Sequence, residues 1–527
     1  MNRFYRRLMI LCFGGACAIV CAFCLVVAAV EIYSAYIEGG DSPYLLAWRS
    51  VGRRMSGSHL SMVCSNPLDP TPIERTRLIA LSWEVCPRVV FPVAKEDVAG
   101  VETPIITSAY VSQNECRELL SCGFRVAISN EYVMAWSRDV KPTEDKCVAV
   151  PLASGWRELC GVLMSMSLVA LLVGWMSERV EHKTYRAWVF AGLVFVILSF
   201  LALSHHLVAP NGLGVFAGKA KLVVEACGIP NGFWRSSKYA IYQPGYPPGL
   251  VLIVMLANVI SGVCGDWIIQ LLGPFAMACL ALLVVNKGGA TPWGFTMAAL
   301  LTLSPVALKL SGEFYAEPFA ALFLLLGWQR VKAGDAGKGW LIMGLAGLFR
   351  YESVLIASLF LLGEVLGAKD SLAHLKWIAA MIAPAGLWYF FCVVNGSGVW
   401  GFDFAARPDL WKIVRTLQAV GRDCLFLFWN TGGLFVIGVL LFVGRWCKVG
   451  ESRITRGVTM STVIALFVLF AGAIAIGYNH SAHWEWVARG VLPRVFWLSL
   501  VIVAFESAQS PLCFTNAKFA ILRHTKK

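Results

Sequence analysis

Residues 187–208 read AWVFAGLVFVILSFLALSHHLV, without a single Asp, Glu, Lys or Arg. A bilayer's hydrocarbon core needs about 20 consecutive apolar residues of helix, so this stretch reads as a membrane-crossing helix. Arg179, Lys183 and Arg186 precede it, and a polar, proline-rich segment follows. Basic loops favour the cytosolic side, so the run is expected to leave the cytosol near residue 187 and emerge on the exoplasmic face near residue 208.

The same pattern recurs along the chain. Its 527 residues are 58% apolar and 15% charged, with a mean hydropathy of +0.67, which excludes a soluble globular enzyme, a disordered chain and a disulfide-stapled mini-domain. Leu8 to Val30 follows Arg3, Arg6 and Arg7 and carries no charge. It is too long for a signal peptide's apolar core and reads as an uncleaved anchor with a cytosolic N-terminus. Further apolar runs lie at about 160–176, 248–264, 267–285, 292–308, 316–329, 339–350, 353–367, 376–394, 424–444, 457–477 and 490–506. Basic clusters at 330–338, 369–376, 445–456 and the C-terminal tail mark cytosolic ends. Both termini inside require an even number of crossings, so either 248–264 or 267–285 is expected to be re-entrant or interfacial.

The expected fold class is an all-α polytopic membrane protein of about twelve transmembrane helices, with a small exoplasmic α/β domain inserted between the first two spans. Its parts are an anchor at 1–30, the inserted domain at 31–158, a second span and cytosolic loop at 159–186, a transmembrane module at 187–510 and a basic tail at 511–527. In the inserted domain, Arg88–Val93, Ile105–Val111 and Phe124–Ser129 read as strands and Gln113–Ser121 as a helix.

The formal charge is +13, yet residues 31–158 hold sixteen acidic against thirteen basic side chains, so the excess sits beside the apolar runs. That is a topology signal rather than a nucleic-acid footprint, and no nucleic-acid partner is expected. Cys64, Cys86, Cys116, Cys122 and Cys147 in the polar segment could oxidise on an exoplasmic face, but they lack CxxC spacing and do not suggest zinc.

Function is expected where charge is out of place for topology, on the exoplasmic side. Residues 209–248, APNGLGVFAGKAKLVVEACGIPNGFWRSSKYAIYQPGYPP, put Lys221 and Glu225 on one face of a helix expected over about 214–226, where they either pair or serve a site; Lys219 lies off that face. The Tyr242 to Pro248 stretch cannot be helical, because its prolines lack donors and hold their neighbours extended. Irregular backbone at the membrane surface lines a cavity or marks a re-entry turn. Ser311 to Phe319, SGEFYAEPF, contains Glu313, Tyr315 and Glu317, and Gly344 to Ser353, GLAGLFRYES, contains Arg350 and Glu352.

Together these three blocks resemble the GT-C superfamily of membrane glycosyltransferases, which use polyprenyl-phosphate sugars. The resemblance covers most of residues 187–367. It implies a polyprenyl-phosphate sugar donor, a glycan, lipid or protein acceptor, contact with membrane lipid, no organic cofactor, an undecided metal requirement, and residence in a membrane, by preference the bacterial inner membrane, with the active site facing outward. Where the family carries a catalytic Asp before the Tyr-Pro loop, this chain has Asn211, and an amide cannot take a proton from an acceptor hydroxyl. The expected carboxylates are therefore Glu313 and Glu317, with Glu225 behind them and Glu31 and Asp41 less favoured.

Sugar transfer also needs cations for the departing phosphate, and Arg suits phosphate with its fixed fork of donors. Lys219, Lys221, Arg235, Lys238, Arg350, Arg489 and Arg494 are candidates. Arg350 is the most informative, because a charge that close to a span needs a cavity or a partner, and Glu352 is the nearby partner. Tyr242, Tyr246 and Tyr315 complete the expected substrate contacts, with His480, His483 and Arg489 from the turn at 478–494. His205 and His206 end the preceding span beside Asn211, where they either cap it or join the cavity. Sequons occur at Asn395 and Asn479. The alternatives are a lipid-linked sugar flippase or transporter, which would show duplicated halves and mid-span charges, and a non-catalytic relative within a glycan-assembly complex.

Overall fold

A computed structural model describes five strands between residues 60 and 137, with Leu119 beside them, and most of residues 152–508. Residues 1–59, 65–89, 95–104, 109–118, 120–124, 138–151, 177–184, 204–209, 368–375, 397–407, 423–430, 435–452, 479–483 and 509–527, with shorter stretches elsewhere, lie outside the described residues, and so do the expected anchor and all but Leu119 of the helix expected at Gln113–Ser121.

The strands are β1 (Leu60–Cys64), β2 (Val90–Ala94), β3 (Ile105–Ser108), β4 (Arg125–Ser129) and β5 (Val133–Ser137). They form one sheet in the order β2-β1-β3-β5-β4. β1 runs parallel to β2 and β3, whereas β5 is antiparallel to β3 and β4. Parallel neighbours need crossover connections and antiparallel ones a tight turn, and only three residues separate β4 from β5. Met62, Ile105 and Ile106 are buried. Three of these strands match the sequence expectation. β1 and β5 add two more, short runs with little of the β-branched bias that announces a strand.

The rest of the described chain is helical. α1 (Leu152–Met176) and α2 (Tyr185–Leu203) lead to a π-helix at Pro210–Gly218 that continues as α3 (Lys219–Glu225). α4 (Gly249–Ser261), a 3-10 turn at Ile268–Leu271 and α5 (Leu272–Lys287) follow, then α6 (Pro292–Thr302), α7 (Pro305–Gly312), α8 (Glu317–Lys332) and α9 (Ala336–Leu345). α10 (Glu352–Gly367), α11 (Ile378–Val394), α12 (Leu410–Arg422), α13 (Arg453–Ile476) and α14 (Trp484–Ser507) complete the order.

Among the described residues, α2 and the continuous Ile268–Lys287 helix are long and apolar enough to cross a membrane, by length and composition. The run expected at 292–308 is not one straight helix. It breaks between α6 and α7 with a 58° bend, where Ser304 caps α7 by accepting from the Ala307 N–H and Pro305 occupies its first turn. Counted as one span, this pair would be a third. Of the 248–264 and 267–285 pair, α4 is the short member.

Three parallel helices are tied at two levels. Glu317, the first residue of α8, meets Arg494 midway along α14. Farther along, the Trp328 indole of α8 donates to Glu506 of α14 at 2.6 Å. Lys332 of α8 reaches Glu364 of α10, also at 2.6 Å. At 1.5 Å per residue, Glu317 and Trp328 are about 17 Å apart along the axis, so the two ties fix both register and direction. Around them Trp328, Trp340, Trp497, Phe319 and Phe360 are fully buried in one continuous core.

Close backbone approach packs α9 against α8. A Cβ on Gly327 would fall 2.6 Å from the Gly339 carbonyl oxygen and on the Met343 side chain, and one on Gly339 would fall 2.7 Å from the Gly327 oxygen. Gly327→Val therefore overpacks this contact by about 1–3 kcal/mol and lowers the thermal midpoint of the purified protein in detergent. Gly192→Ala, where an added Cβ meets nothing within 4 Å, leaves it unchanged or slightly raised.

Candidate active site

Glu317 owes its position to a turn that leaves no slack. α7 ends at Gly312, Glu313 caps it, and Phe314 takes a left-handed backbone conformation (φ 59°), a strained state for an aromatic residue that persists only where surrounding structure enforces it. Edge-on packing of Phe314 against Phe216, centroids 6.5 Å apart, does so. The chain then re-enters a helix at Glu317-Pro318, with proline in the first turn and the carboxylate at the favourable N-terminal end of α8.

Two guanidinium groups close on this carboxylate. Arg350, from the link between α9 and α10, lies 3.4 Å from Glu317 Oε1, and Arg494, inside α14, lies 3.1 Å from the same oxygen. Glu317 is 0% exposed, and both arginines are buried as well. Arg350 also holds Glu352 at 2.6 Å, so two positive and two negative side chains balance. Each guanidinium faces a tyrosine ring, Arg350 that of Tyr246 at 5.4 Å and Arg494 that of Tyr315 at 4.5 Å. Burial pushes the Tyr315 hydroxyl well above the usual phenol range, with Arg494 partly opposing and Glu313 and Glu317 reinforcing the shift, so it stays a neutral donor. Both Glu317 oxygens are buried, and the carboxylate is held mainly by the charges of Arg350 and Arg494, with the backbone N–H groups of Ala316 and Glu317 beside it.

The Tyr-Pro loop is fastened to this cluster from beneath. Lys219 is buried, and its ammonium donates to the carbonyl oxygen of Gln243 at 2.8 Å, with those of Pro244 and Tyr246 at 3.5 Å. Gln243 has φ 44°, and this contact steadies the strained backbone. The Gly245 carbonyl accepts from the Tyr351 hydroxyl at 2.5 Å and from the Trp388 indole at 3.4 Å. Tyr246 also packs edge-on against Phe216 of the π-helix at 5.6 Å.

The structure thus brings together Glu317, Arg350, Glu352, Tyr246 and Tyr315 from the expected set, and adds Arg494 as the second cation. Glu313 lies beside them, 3.8 Å from the exposed Lys309. Lys221 and Glu225 pair with each other at 3.8 Å, as their spacing allowed. Tyr242 is buried against Leu222, Phe233 and Tyr239 and serves the loop's own core. Asn211 falls in the π-helix and Arg489 in α14, but their side chains lie outside the described residues, as do His205, His206, Lys238, Asn479, His480 and His483. Arg235 donates to the Asn395 carbonyl at 3.1 Å. Among the described residues, no group of three or more His, Cys, Asp or Glu side chains is placed to hold a metal. Compared with known proteins, the chain matches no family model, no curated sequence and no solved structure.

Tyr351 and Trp388 had no part in the sequence expectation. The only signal for Tyr351 is its place beside Arg350, and Trp388 lies within an apolar run. Lys219 carries the clearest pH dependence. Burial, partly opposed by the nearby Cys392, depresses its pKa from 10.5 to about 7. Between pH 7 and 10.5 the unfolded chain binds this proton and the folded chain does not, so stability rises with pH across that window. A pH series of thermal melts should show the rise, and Lys219→Met should flatten it.

Proposed function

We propose that this chain is a multi-pass integral-membrane glycosyltransferase that moves a sugar from a polyprenyl-phosphate donor to an exoplasmic glycan, lipid or protein acceptor. The observation that carries the reading is the convergence of Tyr246, Tyr315, Glu317, Arg350 and Glu352. They come from all three blocks that resemble the GT-C superfamily, and Arg494 joins them from far along the chain. Separate motifs that meet at one buried charge cluster behave as one site, because intramembrane and interfacial ionisable residues are costly unless they pair or work.

In this reading, Glu317 is the base that takes the acceptor hydroxyl's proton. Arg350 and Arg494 stabilise the phosphate as the bond to the sugar breaks. Glu352 tempers Arg350, and Glu313 stands beside Tyr315 as the alternative carboxylate. Supporting the orientation, α8, α10 and α14 all start at the Glu317 end, and the basic residues Arg330, Lys332 and Lys338 lie at the other. The positive-inside bias then puts the cluster on the exoplasmic face, with about twelve crossings in all and the five-stranded sheet on the same side.

Complete burial of Glu317 between two arginines favours a second reading, a non-catalytic relative in which the cluster is purely structural. Membranes containing the chain, supplied with a labelled polyprenyl-phosphate sugar, separate the two. Glu317→Gln keeps the shape and removes the base, and transfer should fall by about 100-fold or more while the protein still elutes as a folded species in detergent. Undiminished transfer by that variant removes Glu317 from the chemistry. No transfer by the parent chain, with transfer by Asn211→Asp, would identify a decayed enzyme.

A further inference from the structure

Residues 395–423, which lie between the apolar runs at 376–394 and 424–444 and read from the sequence as an exoplasmic loop, contain α12, LWKIVRTLQAVGR. Leu410, Ile413, Val414 and Leu417 recur at helical spacing along one side. The helix has three basic residues and no acidic one. Asp409 starts it by accepting from the backbone N–H groups of Trp411 and Lys412. It is fixed to the end of α13 by the Asp409 N–H bond to the Gly477 oxygen, at 2.7 Å. Ile413 also fills the space above Gly477, where an added Cβ would meet its Cγ1 at 2.6 Å.

That docking uses only part of the apolar side. Leu410 is 71% exposed and Val414 44%, and Trp411 on the flank is 61% exposed with Arg415 stacked 5.0 Å from its ring. Among the described residues Arg415 pairs with Glu485 at 3.9 Å, and both side chains are more than half exposed. An ion pair of that kind is weak and leaves the guanidinium open to a better anion. An open apolar edge, a tryptophan at its border and basic residues without acidic ones make up the pattern of a helix lying in a membrane interface.

We infer that α12 lies in the plane of the bilayer surface, with Leu410 and Val414 inserted and Lys412 and Arg415 contacting the headgroups of anionic phospholipids. The inference rests on the membrane reading above and not on sugar transfer. Its occupant follows from charge complementarity and from the open apolar edge, since a lipid surface offers acyl chains and phosphates side by side. α12 touches the start of α14 through Glu485, so the phospholipid shell it organises borders the helix that carries Arg494.

The full chain is reconstituted into vesicles of phosphatidylcholine alone or mixed with phosphatidylglycerol, with the photoreactive residue p-benzoylphenylalanine replacing Leu410, Val414 or Ala419 in turn. Resistance of the protein to carbonate extraction from these vesicles checks membrane insertion independently, so its failure is distinguishable from failure of the α12 inference. Leu410 and Val414 should crosslink to lipid, and Ala419, on the polar side, should not. Phosphatidylglycerol should be enriched in the Val414 adducts over its bulk share, and Arg415→Gln should reduce that enrichment by up to about fivefold. Glu485→Gln, which releases Arg415, should raise it. Equal lipid labelling at Ala419 and Val414, labelling at Val414 confined to protein, or enrichment indifferent to Arg415→Gln would each overturn the inference.

Discussion

A carboxylate with no exposed surface depends on what surrounds it. Removing Glu317 from water costs several kcal/mol, and the attraction of its partners offsets this only if both guanidinium groups arrive in good geometry. Arg350 sits in the link into α10 and Arg494 within α14, so α8, that link and α14 have to dock together or leave a charge stranded. The opposite end imposes the same discipline, with Trp328 on Glu506 and Lys332 on Glu364. A slip of one helical turn, about 5.4 Å, would break both sets at once. Interior Leu and Phe side chains tolerate many packings of similar energy, and these charged ties select one.

The same constraint reaches the Tyr-Pro loop. Tyr246 faces Arg350, so the loop's path has to be defined to within the reach of a ring over a guanidinium. Prolines remove the backbone donors that would otherwise define it, and the missing order comes from outside, with Lys219, Tyr351 and Trp388 taking the carbonyls of Gln243 and Gly245. The π-helix contributes Phe216, which touches both Tyr246 and Phe314. Two left-handed residues, Gln243 and Phe314, flank the cluster. Strain of about 1–3 kcal/mol each is sustained there because the packing around them is closed.

How much of this was legible depends on range. The Arg350–Glu352 pair is two residues apart, and the cost of a charge beside a span announced it. The Lys221–Glu225 pair follows from helical spacing. The bend between α6 and α7 is written in Ser304-Pro305, a helix start inside an apolar run, but run-length reasoning averages over it. Arg494 was visible as a cation in an apolar segment, yet nothing local ties it to Glu317, since that contact exists only once α8 and α14 lie side by side. Helical spacing puts Lys219 off the Lys221 face, and its role emerges only with the loop folded over it. α12 carries a clear periodicity, which the reading of its surroundings as a loop hid.

The geometry also bears on what the cluster can do. A carboxylate buried between two arginines cannot reach an acceptor hydroxyl as it stands. For Glu317 to accept a proton, at least one guanidinium has to be drawn away. A phosphate is the ligand best suited to do so, since it offers Arg a bidentate partner in place of a carboxylate oxygen more than 3 Å away. On the transferase reading, then, donor binding and base activation are one event, because the anion that must be stabilised also releases the carboxylate that must act. On the structural reading no such competitor is needed, and the four charges are balanced as they stand. The two readings differ in whether the Arg–Glu contacts are the resting state of a switch or its only state, and the convergence of the tyrosines on both guanidinium groups supplies surfaces that can hold the arginines in either position.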